Sequence, residues 1–409
     1  MKRHVVSAIL VISILGAGSA LAGSGAGAII YSFNTSARYE GMGGAGGGSP
    51  WGGATNHWAN PAQLAYRRGV QWEWYKSELA QGLADDIVLE NNEFIIGFGG
   101  VSLLWSRTPA SGRYLDLGEH QATDENGDPL GVFNSYMKSE AYGFALDVVK
   151  VFDFFQSKYG EPLNYSRYAS LSFGYVHKDF EDMLAPDWVI QGPGGGTATA
   201  NTYDFGWVVG ITPVNSLDTD GSLGFLLGAG YGASTLNGGD EVITHVDVDQ
   251  NDPLPRAYVK AWSLHGEMAL GKQQWRSSMP EFLGSFYDTF NPLLSLSYAY
   301  QKSEVGYFWD PAVGTYNYRR DTSGDQDDIG DGWELGLANI LYLRRGHFEA
   351  LYGAIDGDTD GWGINLQAGG MFGFRYDKAT VPQAAGLPTV DRETWSIWLD
   401  PLAFCSECR

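Results

Sequence analysis

Three groups of residues have the types and spacing to do chemistry. The first is acidic. Asp356-x-Asp358-x-Asp360-Gly361 matches the opening of a calcium loop, in which alternate carboxylates converge on one ion. The twelfth position is Gln367, which cannot supply the bidentate carboxylate that ends such a loop, so calcium held by outer loops is one reading and solvated turns are the other. Asp124-x-Asn126-x-Asp128 and the cluster Asp321, Asp325, Asp327, Asp328 and Asp331 pose the same choice. The second group is Cys405-x-x-Cys408, the only cysteines of the chain. A zinc site needs about four ligands, so a terminal disulfide or an inert tail is expected here. The third is Gly41-Met42-Gly43-Gly44-Ala45-Gly46, formally G-x-G-x-x-G. No strand leads into it within a βαβ unit and more glycines follow in place of a helix, so no dinucleotide site is expected.

Hydrolytic chemistry finds little support. G-x-S-x-G does not occur, and His4, His57, His120, His177, His245, His265 and His347 are scattered without H-E-x-x-H or H-x-x-x-H spacing. The chain is therefore read as not an enzyme and as needing no cofactor, calcium at the outer loops apart.

The elements around these residues begin with a leader. Lys2 and Arg3 precede an apolar run from Val5 to Leu15, and Ala20-Leu21-Ala22 offers the small residues a signal peptidase accepts, so export with cleavage after Ala22 is expected. Position 23 is Gly, not the Cys of a lipoprotein. No later stretch is long and apolar enough for a membrane helix, which needs about 20 such residues. A membrane location would have to use strands. Taking Lys2 and Arg3 from the 26 basic residues leaves 24 against 48 acidic ones, a net charge of −24. That balance repels nucleic acid, whose phosphates require clustered Lys and Arg.

Alternation supplies the strands. Tyr203, Phe205, Trp207 and Val209 alternate with Asp204, Gly206, Val208 and Gly210, and Leu223, Phe225, Leu227, Ala229 and Tyr231 alternate with Gly224, Leu226, Gly228, Gly230 and Gly232. Comparable runs lie at 70–74, 142–148, 169–178, 294–301, 333–338, 348–354, 362–368 and 395–399. A soluble sandwich also alternates, but its second face shows water Lys, Glu and Thr. Here the second face is mostly Gly, Ser and Ala, as in Ser295, Ser297 and Ala299. With only 18% charged residues and 56 glycines, the pattern fits large residues facing lipid and small or polar ones facing a lumen. The expectation is an all-β, transmembrane antiparallel β-barrel of about 14 strands, the last one or two hidden in 305–320 or 241–248. Residues 148–158 and 278–290 carry a mixed or capped-helix pattern suited to small helices at the rim. Arg344-Arg345-Gly346-His347 reads as a tight periplasmic link, which would turn the acidic segments 321–331 and 356–361 outward.

Between leader and first strand, Ser36-Ala37-Arg38-Tyr39-Glu40-Gly41-Met42-Gly43-Gly44-Ala45 is followed by Asn60-Pro61-Ala62-Gln63-Leu64-Ala65. These segments resemble the opening of the long-chain fatty-acid transporter (FadL) superfamily, whose N-terminal hatch carries an Asn-Pro-Ala element inside a fourteen-stranded barrel. Residues 172–178, Tyr203-Asp204-Phe205-Gly206, Leu254-Pro255-Arg256, Trp333-Glu334-Leu335-Gly336 and 343–346 resemble its PorV/PorQ branch more closely. Two departures stand out. Gly47-Gly48-Ser49-Pro50-Trp51-Gly52-Gly53 replaces the acidic residues usual before Asn-Pro-Ala, and Phe404 is followed by five further residues instead of ending the chain.

The domain reading is a signal peptide at 1–22, an N-terminal hatch or plug segment at 23–69, an outer-membrane barrel at 70–404 and a tail at 405–409. In the hatch, Gly41, Gly43, Gly44 and Gly46 permit tight backbone packing, while Asn60, Pro61 and Ala62 form a rigid latch or, on the other reading, an ordinary turn. The partners are outer-membrane lipid and either a hydrophobic small molecule or an exported protein. The resemblance implies a gated transporter of hydrophobic molecules or a non-conducting barrel that accepts secreted proteins. A purely structural barrel is the third reading.

Overall fold

A backbone in hydrocarbon must satisfy every N–H and C=O internally, and a sheet achieves this only by closing on itself. The computed structural model of the chain describes residues 28–401 apart from 52–56, 80–85, 107–111, 125, 160–163, 191–195, 218–221, 240, 246–250, 272–286, 306–307, 311–314, 318–326, 351–354, 369–370 and 384–386. Its fourteen antiparallel barrel strands are β1 (Gly69–Glu78), β2 (Val88–Phe98), β3 in two segments (Val101–Ser106 and Gly112–Thr123), β4 (Pro129–Asp147), β5 (Ala169–Met183), β6 (Thr197–Asn215), β7 (Leu223–Gly238), β8 (Ala257–Leu270), β9 (Leu294–Val305), β10 (Asp327–Leu337), β11 (Leu341–Ala350), β12 (Ile355–Ala368), β13 (Phe372–Val381) and β14 (Val390–Leu399). Each pairs with its neighbours in sequence, and β14 returns to β1 with Trp395 opposite Trp74, so no edge is left. The break in β3 does not spoil the ladder: Ser106 faces Ala141 and Arg113 faces Ser139, so pairing resumes two residues further along β4.

The two ends differ. Short links, Gly99–Gly100 and Ala338–Ile340, close hairpins at one end, where Ala338 and Asn339 take positive φ. That end also carries two longer connections, 148–168 and 271–293, while the opposite end carries 184–196, 239–256 and 306–326 and has no two- or three-residue link. Short turns mark the periplasmic side of such barrels and long loops the outside. The helix α2 (Val148–Tyr159) sits at the short-turn end, as the mixed period over 148–158 suggests, and Tyr287–Phe290 is a single helical turn there. The described residues of 241–248, and those of 305–320 beyond Val305 at the end of β9, hold no barrel strand. Instead, Val242–Thr244 pairs with Asn251–Pro253, and Phe308–Asp310 with Thr315–Asn317, as small hairpins in the long loops.

One expectation needs correcting. Arg344-Arg345-Gly346-His347 is not a link but the middle of β11, where Arg344 is buried in the lumen and Arg345 is exposed outside. The polar run imitates a turn because the strand there has charge on both faces. Residues 356–361 likewise belong to β12. The described acidic residues of these segments still lie at the end opposite the short turns, where they were expected.

Outward residues are apolar from the short-turn end to an aromatic row. Leu337, Leu335 and Trp333 on β10 stand beside Leu294, Leu296 and Tyr298 on β9. Beyond that row the outer face turns charged, with Asp331, Arg345 and Asp360. An apolar band ending in aromatic rings is the profile of a strand barrel seated in a bilayer. The protein should therefore fractionate with outer membranes and migrate faster in detergent gels unheated than boiled. Recovery as a detergent-free soluble species would contradict the lipid-facing assignment.

Candidate functional site in the barrel lumen

The described N-terminal residues lie inside the barrel, and local sequence explains how they are folded there. Asn60 caps a 3-10 helix (Pro61–Tyr66): its Oδ1 accepts from the Ala62 N–H at 3.1 Å, and Pro61 occupies the first helical position, where a missing N–H costs nothing. The Asn60 amide donates to the Gly47 carbonyl at 2.9 Å and to the Trp207 carbonyl of β6 at 3.1 Å. Asn60-Pro61-Ala62 thus ties one half of the plug to the other and both to the wall.

The glycine run follows the short helix α1 (Ala37–Glu40). Gly43 and Gly44 adopt φ of 68° and 77°, and a Cβ on Gly43 would overlap the carbonyl oxygens of His347 and Asp331. The Gly43 N–H donates to Thr359 Oγ1 at 3.0 Å. The wall answers with its own glycines: a Cβ on Gly330 or Gly346 would run into the backbone of Gly43. Gly41 packs beside Gly361, and Gly46 lies against the Tyr39 ring.

Charged side chains lock the same segment to the wall. Arg38 grips Glu334 of β10 with two hydrogen bonds, of 2.9 and 2.6 Å. Glu334 also accepts from Arg344 at 2.7 Å; Arg344 donates to Asp377 at 2.6 Å, and Asp377 accepts from Arg375 at 2.6 Å. Glu40 pairs with Arg392 and accepts from the Tyr75 hydroxyl at 3.4 Å. His57 and Trp58 both meet Glu93 of β2, at 3.0 and 3.1 Å, and Arg67 meets Glu73 of β1 at 3.0 Å. Each of these plug residues has a wall partner, and all these carboxylates are buried. Burial pushes the Glu40 carboxyl up to about 7, against the opposing pull of Arg392 and Tyr75.

Among the described residues, two cavities border the plug. One, of about 210 Å³, lies on the long-loop side, lined by Tyr31, Phe33, Trp58, Val259, Phe348 and Val381 together with Gly43, Gly44, Glu40 and Arg392. An apolar cluster of Ile30, Leu89, Leu115, Met137, Phe180 and Ile243 adjoins the Ile29–Ser32 turn. The other cavity, of about 360 Å³, opens on the short-turn side and gathers the charged or titratable side chains of Arg38, Arg67, Arg68, Arg375, His265 and Glu267. The Arg38–Glu334 pair borders it from the plug.

Sequence reasoning singled out the plug glycines and Asn60-Pro61-Ala62, and the structure brings these together in one wall-bound unit. It missed Glu334, Arg344, Arg375, Asp377 and Arg392. The available signal was a charge at the inward position between two large outward residues, as in Trp333-Glu334-Leu335 and Phe374-Arg375-Tyr376. Asp356, Asp358 and Asp360 sit on outward positions of β12, away from the lumen. Asp356 and Asp358 pair with His347 at 3.1 and 3.3 Å, and Asp358 with Arg345 at 2.8 Å. Among the described residues, no group of three His, Cys, Asp or Glu side chains could hold a metal ion. Asp124 closes a β3–β4 turn, its Oδ1 accepting from the N–H groups of Asn126 and Asp128, each at 2.8 Å. Cys405 and Cys408, Phe404 and the leader at 1–22 lie outside the described residues.

No protein-family model and no curated protein matches the chain. Among solved structures it is similar to a Pseudomonas aeruginosa FadL homologue, with 10% identity and a TM-score of 0.39 over 90% of this chain and 98% of that one. It is similar also to a deltaS2S3 mutant of the monoaromatic hydrocarbon channel TodX, with 11% identity and a TM-score of 0.40 over 90% and 99% of the two chains. A third is the Pseudomonas putida toluene transporter TodX, at 11% identity and a TM-score of 0.29 over 88% and 95%.

Two outcomes follow from the geometry. Removing one partner of a buried ion pair costs about 3–5 kcal/mol, so Arg38→Met should unseat the plug and raise bilayer conductance, while the barrel keeps its heat-modifiable migration. Gly43→Val should act in the same direction, through overlap with His347 and Asp331. The second concerns pH. A carboxyl whose pKa is raised on seating favours the seated plug while it is protonated; that contribution is complete below 4.5 and is lost as pH rises through about 7. Leak conductance should rise over this window, and Glu40→Gln should flatten the profile.

Proposed function

We propose that the protein admits small hydrophobic molecules across the outer membrane, with residues 36–65 acting as a hatch that is shut at rest. The observation that carries this reading is the mostly apolar cavity of about 210 Å³ on the outer side of the plug, where Tyr31, Phe33, Trp58 and Phe348 stand with a polar margin of Gln301, Asp328 and the Glu40–Arg392 pair. An apolar cavity of roughly 150 Å³ already binds benzene, so the space suits a single ring or a short chain. A ligand there touches Gly43 and Gly44 and the Glu40–Arg392 pair. Binding and hatch movement therefore share residues. A barrel that only passed exported proteins along would use its outer loops and would have no need of an apolar chamber above the plug.

Bilayer recordings of intact protein should show little or no conductance, because the plug fills a lumen that in a fourteen-stranded barrel would otherwise be wide enough for solutes. Deleting residues 36–65 should leave a folded barrel with a stable open channel. Phe348→Asp should abolish the uptake of a probe such as toluene into proteoliposomes while the conductance of the intact protein stays low. A folded, silent deletion variant would refute the hatch, and unchanged uptake in Phe348→Asp would refute the chamber as the ligand site.

A further inference from the structure

The helix α2 follows directly from β4, and its orientation is fixed from inside. Asp147 caps it, its Oδ1 accepting from the N–H groups of Val149 and Lys150 at 3.0 and 3.1 Å. The Lys150 ammonium stands 4.9 Å from the Tyr66 ring of the plug, and Gly100, in the turn between β2 and β3, packs under the Lys150 side chain. On another face, Asp153 accepts from the N–H groups of Tyr165 and Ser166 at 3.1 and 2.6 Å, tying the helix to the chain that follows.

That anchoring leaves an apolar stripe outside. Val148, Phe152 and Phe155 recur at i, i+4 and i+7, and Phe152 and Phe155 are 49% and 55% exposed. Phe154 is also exposed, and its ring meets Phe98 edge-on at 5.7 Å. Phe98 is the last outward residue of β2 in the lipid-facing band, so the stripe is continuous with a surface already assigned to hydrocarbon. Tyr165 extends it, with its ring 6.1 Å from that of Phe152. Most other strands reach the short-turn end on aliphatic residues such as Leu294, Leu337, Leu341 and Leu399. Here aromatic rings collect, the residue type that settles at the headgroup level of a bilayer.

We infer that α2 is an interfacial helix whose Val148, Phe152, Phe154 and Phe155 insert into the periplasmic leaflet, so that its occupant is phospholipid. The helix lies in the plane of the interface and, through Asp147 and Lys150, links that leaflet to Tyr66 of the plug.

Site-directed spin labelling of the full chain tests this. On a Cys405→Ser, Cys408→Ser background, Phe152→Cys, Phe155→Cys, Ser157→Cys and, as a lipid-facing control, Leu264→Cys are labelled and reconstituted in phosphatidylethanolamine–phosphatidylglycerol vesicles. Labels at 152 and 155 should match the control, with oxygen collisions retained and collisions with a water-soluble nickel chelate lost, while 157 stays open to nickel. Nickel access at 152 and 155 equal to that at 157 would overturn the inference and leave the stripe to a soluble protein partner. Protection there from both reagents would overturn it in favour of contact with a second copy of the chain. If a labelled variant fails to fold, the unmodified protein decides: a photoreactive phospholipid should crosslink within 148–157, and labelling of the barrel strands without that peptide would refute the lipid contact.

Discussion

The approach of two backbones to each other, with no side chain between them, is the contact on which the rest of this structure depends. Closing the sheet satisfies the hydrogen bonds of every barrel strand but encloses more space than side chains of fourteen strands can fill. The N-terminal segment fills it, and its backbone comes closest to the wall where one chain or both lack a Cβ. Gly43 against Gly330 and Gly346 is the tightest such place, and Gly41 beside Gly361 repeats it on β12. The abundance of glycine on the inward face is thus a consequence of having a second chain segment to accommodate. An empty lumen would tolerate any small polar residue at those positions.

Backbone contact of this kind has little directionality, and the charged pairs supply it. Arg38 and Glu40 of α1, with His57 and Arg67 further along the plug, end on β10, β14, β2 and β1. A plug displaced by one residue would leave several of these groups buried and unpaired, at a cost of several kcal/mol each. Net stabilisation by buried ion pairs is small, since desolvation offsets most of the attraction. Their effect is selective: one seating satisfies them all.

Much of the barrel was legible in the sequence because lipid and lumen impose opposite demands on alternate residues. Runs such as Tyr203 to Val209 show that period plainly. Four strands escaped notice: β2, β3, β8 and β13. Of these, β2, β3 and β13 carry polar residues on both faces toward the long-loop end, as in Glu90, Asn91 and Asn92 or Asp377 and Lys378, where the wall has left the bilayer and the outward demand has vanished. The same mixture made Arg344 to His347 imitate a turn. Asn60-Pro61-Ala62 was readable as a rigid element from residue types alone. Its partner Trp207 was not, because contacts between residues so far apart in sequence leave no local pattern.

The division of the lumen bears on what a ligand could do. On the outer side the lining is mostly apolar, with the Glu40–Arg392 pair at its margin; on the periplasmic side, the Arg38–Glu334 pair and Arg67 present charge. A hydrophobic molecule in the outer chamber gains nothing by moving toward those charges while they remain paired and buried, since apolar burial is its only source of affinity. It can shift the hatch only by binding one position of the hatch more tightly than another, whatever its absolute affinity. The outer chamber meets that condition structurally: part of its lining, Gly43, Gly44 and Glu40, belongs to the plug, and the rest, Val259, Phe348 and Val381, belongs to the wall. A molecule filling the space between them must lose contacts on one side when the plug moves. If residues 36–65 act as the proposed hatch, the sign of that difference decides whether a ligand holds it shut or releases it, and it is set by how much of the contact lies on Phe348 and Val259 rather than on the glycine turn.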